Sequence, residues 1–489
     1  MKRICIIGAG MSGSTVALEL QKNKEFEVVI MDCDTILNRF DYDKVLDKEI
    51  KNTEKTIGYG FGGTSNLWHG VIAKLDDEDF SYIDRKLKLD ANLKNIYSSF
   101  KSRLKVYFGN LDHLDLNKYN CKSHNLLKYI DLCKLSLKPH VVQKIPTRFR
   151  SLIRDTLNLK HNNFQIIENT VALSLNIGEN NCIESVTYSQ DGIIKAFHAD
   201  VFVVATGAIE SPRIAYQSFH GSEYYNSLIG TKLTNHPVSI IAQLKLPRYM
   251  FYTHHGSRSI FSFSTSRMGF TIPNKLRKKS ELNHSIFIRP DYSDNSKKLI
   301  KNTQKILFEN FSIRMLFSII INKELFLTSL SLISERLGFG LFVNKFIISV
   351  QLEQVPSPES YVEIIDKYDK YGRMLPKVHE LSNVNILRDI KNIKTIIRKL
   401  IKSESGAKIK EIDSQILNGG SHYAGTCCMG CNKKNGVVDK NLKYFGINNL
   451  YICDASVIPK IGNANLSLTI VSLAIRLSDH LSNKYKRMV

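Results

Sequence analysis

Near its carboxyl end the chain reads SHYAGTCCMG (residues 421–430), a string whose residue types allow three kinds of chemistry. His422 could serve as a general base, because an unperturbed imidazole titrates near neutral pH. Cys427 and Cys428, with Cys431 close behind, could bind a metal or form a redox pair. A structural zinc site, however, requires a second clustered pair of ligands, and adjacent cysteines form disulfides poorly. The pattern therefore favours packing for the three thiols and predicts no metal site.

A second candidate site lies at the other end of the chain, in a glycine-rich turn. RICIIG (residues 3–8) leads into a GxGxxG pattern at Gly8, Gly10 and Gly13, and a second apolar run ends at Asp32. Gly8 permits a tight turn, Gly10 lets the backbone approach a pyrophosphate, and Gly13 lets helix and strand pack closely. Asp32 is expected to accept hydrogen bonds from ribose hydroxyls, while the helix N-terminus faces the phosphates. These residues predict a site for NAD or FAD, and the acid argues against NADP.

The stretch DVFVVATGAIESPRI (residues 200–214) predicts another strand, and this one ends in small residues. Ala205 and Gly207 at its end would let the backbone pass close to a flat or phosphate-bearing ligand. Ser211 and Pro212 suit a helix cap and a first helical turn, so a helix is predicted to begin there. Taken alone, the stretch is better explained as an ordinary strand-to-helix turn.

Length and composition indicate a globular protein of two domains. A chain of 489 residues with 43% apolar residues is too long for one simple core. The net charge of +22 is spread along the sequence, and no zinc-finger or aromatic RNA-binding signature accompanies it, so no nucleic-acid partner is expected. The nine cysteines are an odd number, and no signal-peptide series precedes the first apolar run. These features predict a reducing, cytoplasmic location.

No uninterrupted apolar run reaches the length of a membrane span. The nearest candidate is MLFSIIINKELFLTSLSLI (residues 315–333), which Asn322, Lys323 and Glu324 interrupt. A buried helix pair in the second domain is the favoured interpretation. Peripheral contact with a membrane, next to the basic charge, is the alternative.

Three further stretches point to a family. They are GYGFGGTSNLWHG (residues 58–70), the string at 421–430, and FGINNLYICDASVIPKIGNANLSLTIVSLAIRLSDHL (residues 445–481). Together with the opening fold they resemble the glucose–methanol–choline (GMC) oxidoreductases, which are FAD-dependent alcohol oxidases and dehydrogenases. EQVPSPESYVEIIDKYDKYG (residues 353–372) resembles the family segment that enters the substrate-domain sheet. Residues 236–350 offer little to match.

The resemblance implies which residues hold the cofactor. The positions that match the family's FAD-binding segments are Gly8, Gly10, Gly13, Asp32, Gly62, Gly63, Thr64, Ser65, Asn66, Val171, Ala205, Gly207, Asp454, Ala455 and Thr469. Some sugar oxidases attach the flavin covalently through a histidine in the glycine loop. The matching position here is Leu67, so the resemblance implies non-covalent FAD.

The resemblance also assigns the reaction. His422 matches the family's active-site histidine, and Asn465 matches its partner. Alcohol oxidation needs a base for the hydroxyl proton and a group that orients the oxygen, while the flavin accepts the hydride. The ending ANLSLTIVSLAIRL is close to the pyranose-oxidase and cholesterol-oxidase pattern, with Leu466 in place of the usual proline. A sugar or glycoside hydroxyl is therefore the favoured substrate.

Several alternatives stay open from the sequence. The same fold could act on a sterol, polyketide or lipid-linked alcohol, which the apolar helices predicted around residues 305–348 would suit. A non-redox lyase or decarboxylase is a second possibility, and a basic binding protein with a structural flavin is a third. The electron acceptor could be oxygen, a quinone or another carrier.

The predicted fold class is α/β, a doubly wound, Rossmann-like FAD-binding domain with an interwoven α+β substrate domain on an antiparallel sheet. The FAD-binding domain is predicted to comprise residues 1–75, 160–235 and 435–489. The substrate domain would comprise residues 76–159 and 236–434. The active site is expected at their junction.

Overall fold

A computed structural model describes most of the chain. It covers residues 1–33, 58–66, 70–86, 93–111, 114, 129–130, 138–144, 162–253, 265–271, 284–291, 339–380, 384–413, 416–417 and 422–486. Leu67 and the apolar stretch at 315–333 lie outside the described residues, so the predictions made for them stay predictions.

The strands, in chain order, are β1 (Lys2–Ile7), β2 (Phe26–Met31), β3 (Val71–Ile72), β4 (Lys138–Lys144), β5 (Phe164–Ile167), β6 (Thr170–Ile177), β7 (Ile183–Gln190), β8 (Ile193–His198), β9 (Val201–Val204), β10 (Val238–Thr253), β11 (Thr265–Thr271), β12 (Ser285–Pro290), β13 (Phe339–Gln351), β14 (Tyr361–Tyr368), β15 (Met374–His379), β16 (Lys408–Glu411), β17 (Ile416–Leu417) and β18 (Leu450–Ile452). The α-helices are α1 (Met11–Leu20), α2 (Asp77–Lys86), α3 (Ile96–Ser99), α4 (Lys101–Phe108), α5 (Gly207–Phe219), α6 (Val384–Leu400) and α7 (Ser467–Lys486). None of these helices, within the described part of the chain, is long and apolar enough to cross a membrane.

The first large element is a five-stranded parallel sheet in the order β18-β9-β1-β2-β5. Ile4 of β1 pairs with Val28 of β2 on one side and with Val201 of β9 on the other. All four residues of β9 are buried, as expected for a parallel strand covered on both faces. Helix α1 connects β1 to β2, so the strand, glycine turn, helix and strand predicted from the sequence are confirmed.

The second large element is an eight-stranded sheet whose strand pairs are antiparallel. Helix α6 packs on it through Ile390, Ile393, Ile397 and Leu400, which share one face of the helix. Full burial of each such side chain stabilises the packing by about 1.5–3 kcal/mol. The predicted combination of a parallel α/β sheet with an antiparallel sheet is confirmed.

The segment at 353–372 does not join this large sheet. Its strand, β14, pairs only with β15 among the described strands, in a separate hairpin. The hairpin is fastened to α5 by Arg213, whose guanidinium donates to the Asp369 carboxylate at 2.9 Å and to the Met374 carbonyl at 2.6 Å. The expectation that the segment enters the substrate-domain sheet was therefore wrong, because β14 pairs with β15 in a hairpin that Arg213 attaches to α5.

Helix α5 begins earlier than the sequence predicted. It starts at Gly207, so Ser211 and Pro212 lie inside the helix rather than at its cap. Pro212 has no N–H to donate to the carbonyl of Ala208, four residues back. The Thr426 hydroxyl donates to that carbonyl instead, at 2.6 Å. A long-range hydrogen bond thus allows the proline where local propensity argues against it.

Candidate active site

The glycine loop after β1 is closed by contacts that only glycine permits. Gly8 has φ +101°, and a Cβ there would lie 2.7 Å from the Ala205 carbonyl oxygen. A Cβ on Gly13 would lie 1.9 Å from the Gly8 carbonyl oxygen, so α1 could not approach the turn. Ala205 also donates its N–H to the Ile7 carbonyl at 2.8 Å. The strand end at 205 is therefore part of the same loop cluster as Gly8 and Gly13.

Gly10 is glycine for a different reason. Its φ of −66° is ordinary, and a Cβ there would approach no described atom closer than the Ala205 oxygen, at 4.0 Å. Gly10 precedes α1, whose first amides have no partner within the helix. A glycine that the protein itself does not require, next to free helix amides, fits the close approach of a pyrophosphate. Asp32 stands beside this loop, with its carboxylate accepting the Ala9 N–H.

The glycine-rich loop at residues 58–66 lies directly on this turn. The Gly62 N–H donates to the Ala9 carbonyl at 2.8 Å, and a Cβ on Gly63 would lie 3.1 Å from the Gly10 Cα. Within the loop, the Thr64 hydroxyl accepts the Gly58 N–H, and the Ser65 hydroxyl donates to the Gly62 carbonyl. The Asn66 amide donates to the Phe61 carbonyl at 2.7 Å. The structure therefore brings Gly62 to Asn66 together with the first glycine turn.

Asp454 joins two of the predicted cofactor segments. Its buried carboxylate accepts hydrogen bonds from the Gly207 N–H at 2.9 Å, the Ser211 hydroxyl at 2.5 Å and the Ser456 N–H at 2.8 Å. Because both oxygens of this carboxylate have protein partners, its observed role is to hold α5 against the turn that begins at Ala455. A ligand bound at the start of α5 and at the turn after Asp454 would therefore contact backbone groups.

Val171 and Thr469, two other predicted cofactor residues, are both buried. Val171 is buried on β6, next to Thr170, whose N–H donates to the Asp32 carbonyl at 3.1 Å. Thr469 is buried in the first turn of α7, and its hydroxyl lies 2.7 Å from the Tyr97 hydroxyl. Val171 therefore lies near the ribose-binding candidate, whereas the polar group of Thr469 bonds to another part of the protein.

The two predicted catalytic residues lie together. His422 Nε2 is 3.1 Å from Asn465 Nδ2, although 43 residues separate them in sequence. Burial lowers the pKa of His422 to about 4, because a protonated imidazole loses its hydration there. His422 is therefore neutral at physiological pH, as a general base must be before it takes up a proton.

Sequence reasoning missed His236. Its Nδ1 lies 3.1 Å from His422 Nδ1, and its Nε2 lies 2.9 Å from the Gly462 carbonyl oxygen. Asn235 supports both histidines, because its side-chain oxygen accepts the backbone N–H of His236 at 2.8 Å and the backbone N–H of His422 at 3.0 Å. The signal that the sequence offered was the polar pair Asn235 and His236 just before β10, at the edge of a region where the family resemblance offers little to match.

Of the three neighbouring cysteines, Cys427 and Cys428 are buried and Cys431 is exposed. Cys427 is fully buried and donates its N–H to the Ser456 carbonyl, while the Cys428 thiol donates to the Gly425 carbonyl at 2.6 Å. Burial raises the pKa of the Cys428 thiol to about 12, so it stays protonated. Cys431 is exposed, and its sulfur accepts from the Asn435 amide at 2.9 Å. Among the described residues, no cluster of His, Cys, Asp or Glu has the arrangement of a metal site.

Comparison with known proteins identifies the family. A family profile described as GMC oxidoreductase matches residues 358–474. A truncated GMC-type oxidoreductase of Acanthamoeba polyphaga mimivirus, described as inactive, is 38% identical over 68 residues, which are 14% of this chain and 78% of the relative. The chain belongs to the GMC oxidoreductase family, whose members bind FAD.

Two further proteins are similar to this chain, one over a short stretch of a longer protein and one over nearly its whole length. Ecdysone oxidase of Bombyx mori is 29% identical over 119 residues, which are 24% of this chain and only 17% of that relative. Pyridoxine 4-oxidase from Mesorbium loti is 14% identical, with a TM-score of 0.61 over 99% of each chain. At this identity the second similarity concerns the fold alone, and it confirms the α/β architecture.

Proposed function

We propose that this GMC-family chain binds FAD and oxidises an alcohol hydroxyl to a carbonyl, with His422 as the base and Asn465 as the group that orients the oxygen. The observation that carries the proposal is the 3.1 Å contact between His422 Nε2 and Asn465 Nδ2. A histidine with a pKa of about 4 next to a neutral amide is suited to take one proton and hold one oxygen.

The residues present fit FAD. In the glycine turn at Gly8, Gly10 and Gly13, a Cβ built on Gly10 would meet no described atom closer than 4.0 Å, and Asp32 stands at the end of β2 beside it. When bound, FAD supplies the acceptor for the hydride that leaves the alcohol carbon. We expect the binding to be non-covalent, because Leu67 occupies the position of the family's flavin-linked histidine.

The protein's own part of the reaction is proton transfer and orientation. His422 Nε2 removes the hydroxyl proton, and the Asn465 amide donates a hydrogen bond to the oxygen as negative charge develops on it. Asn465 suits this task because an amide does not titrate and therefore orients the oxygen over a wide pH range.

A sugar or glycoside is the first candidate substrate, supported by the residues from Asn465 to Thr469 that resemble the pyranose-oxidase and cholesterol-oxidase pattern. A lipophilic alcohol is the second, supported by the similarity to a relative named ecdysone oxidase. The proposal includes three candidates for the partner that reoxidises the flavin: oxygen, a quinone or another carrier. Peripheral membrane contact would suit the second substrate class.

The test is anaerobic bleaching of the flavin by a panel of sugars and lipophilic alcohols. We expect His422→Ala to keep its flavin and to bleach about 10²–10⁴ times more slowly than the parent protein. His198→Ala is the matched control, because His198 is an exposed histidine on β8, and it should bleach at the parent rate.

Each alternative predicts a different result. Unchanged bleaching in His422→Ala would remove His422 as the base. Release of carbon dioxide or cyanide without bleaching would favour a lyase or decarboxylase. Bound flavin that no alcohol reduces would favour a structural flavin, and protein that cannot be reconstituted with FAD would overturn the proposal.

A further inference from the structure

His236 is a buried histidine between the catalytic candidate and the backbone of the loop that carries Asn465. It is fully buried, and its ring meets that of His422 edge to face, with centroids 5.3 Å apart and an interplanar angle of 82°. Its Nε2 lies within hydrogen-bonding distance of the Gly462 carbonyl, and its Nδ1 lies within hydrogen-bonding distance of His422 Nδ1. The imidazole therefore links the two groups directly.

The hydrogen positions in this chain follow from which atoms can donate. A carbonyl oxygen only accepts, so His236 Nε2, 2.9 Å from the Gly462 oxygen, must carry a hydrogen. A neutral imidazole has only one N–H, so His236 Nδ1 is an acceptor. The 3.1 Å contact between the two Nδ1 atoms needs one hydrogen, which His422 Nδ1 must supply. His422 Nε2 is then left with its lone pair, 3.1 Å from the Asn465 amide that can donate to it.

The groups that hold His236 are themselves fixed. Gly462 has φ +58°, and a Cβ there would lie 2.4 Å from an Asp79 carboxylate oxygen, so the loop needs glycine to present this carbonyl. The Gly462 N–H donates at 3.0 Å to Glu353, whose carboxylate lies 3.6 Å from Lys460 Nζ. The carbonyl that selects the His236 tautomer is thus anchored by a buried ion pair.

We infer that His236 is a positioning residue that holds His422 in the tautomer with hydrogen on Nδ1 and a lone pair on Nε2. Its effect on rate rests on the proposed function, whereas the tautomer itself does not. If His422 takes a proton at Nε2, its Nδ1–H already donates to His236, so the new cation keeps a hydrogen-bond partner on the Nδ1 side. Without His236, the other tautomer would place a hydrogen on Nε2 and block proton removal.

The direct test is magnetic resonance of the flavin-loaded protein with isotope-labelled histidine ring nitrogens. The His422 signals are assigned by their loss in His422→Asn. We expect Nδ1 to be protonated and Nε2 unprotonated in the parent protein at neutral pH. A hydrogen on Nε2 would overturn the inference, and this measurement needs no variant at position 236.

Two variants separate positioning from packing. His236→Leu removes the acceptor for His422 Nδ1, so the Nε2–H tautomer should appear and flavin reduction should slow by about tenfold or more, with KM little changed. His236→Asn places an amide oxygen near the former Nδ1, so it should restore the parent tautomer and most of the rate. An unchanged tautomer in a folded His236→Leu, or equal loss in both variants, would assign His236 to packing alone.

This experiment distinguishes failure of the inference from failure of the proposed function. If no alcohol reduces the flavin, the proposed function fails, and the nitrogen signals still report the tautomer. If alcohols do reduce it but His422 carries its hydrogen on Nε2, the role of His236 fails while the chemistry remains.

Discussion

His422 is expected to remain an unprotonated base far below the usual titration range of histidine. Burial lowers its pKa to about 4 from 6.5, because the cationic ring would lose its hydration. Lowering the pH is the perturbation. At pH 5 about 90% of His422 would be neutral, against about 3% for a histidine with a pKa of 6.5. The fraction of unprotonated imidazole therefore differs about thirtyfold between the two cases. Activity should therefore fall as pH drops through about 4 rather than through 6.5.

The assay is anaerobic stopped-flow reduction of the bound flavin by an alcohol that bleaches it, measured from pH 4 to pH 8. A nuclear magnetic resonance titration of His422 provides the same value without any substrate. An acidic limb near 6.5 in both measurements would refute the reasoning from burial. A limb near 6.5 in the rate alone would assign that titration to another group.

The lowered pKa of His422 also makes the free energy of unfolding depend on pH. The unfolded chain takes up a proton on this histidine below pH 6.5, whereas the folded protein does so only near pH 4. The contribution to stability is present above pH 6.5 and is lost as pH falls toward 4, by at most about 3 kcal/mol for this shift. Comparing denaturant unfolding of the parent and His422→Asn across this range measures it.

The remaining predictions concern the cofactor cradle and a buried ion network. Gly13→Ala should abolish flavin binding and destabilise the apoprotein, since its Cβ would meet the Gly8 carbonyl. Gly10→Ala should weaken flavin binding and leave the stability of the apoprotein unchanged. Fluorescence titration with FAD measures the binding, and thermal unfolding measures the stability. Glu210→Gln should cost about 3–5 kcal/mol in the free energy of unfolding, because it leaves the buried Arg213 charge short of a partner. The control is Glu27→Gln at an exposed pair, which should cost less than about 1 kcal/mol in the same denaturant measurement.

Short-range features of this protein were readable from the sequence. The β1–turn–α1–β2 unit follows from apolar runs and glycines at fixed spacing, because these encode strand, helix and tight turn locally. The roles of His422 and Asn465 came instead from the resemblance to the GMC oxidoreductases, because the two residues lie 43 positions apart and the string around His422 was ambiguous alone. The predicted start of α5 was wrong because Pro212 is tolerated inside the helix through a distant contact. The Thr426 hydroxyl donates to the Ala208 carbonyl, and these two residues lie 218 positions apart in sequence.

The sequence by itself determined the β1–turn–α1–β2 unit and the glycine cradle, since both depend on residues close together in the chain, whereas His422 and Asn465 were indicated by the family resemblance. Only the tertiary structure decided that β14 turns back into a hairpin and that Asp454 is occupied by protein donors. It alone brought His236 to His422 across 186 residues. Periodicity records which face of an element is buried, but not which distant side chain will share a hydrogen with it.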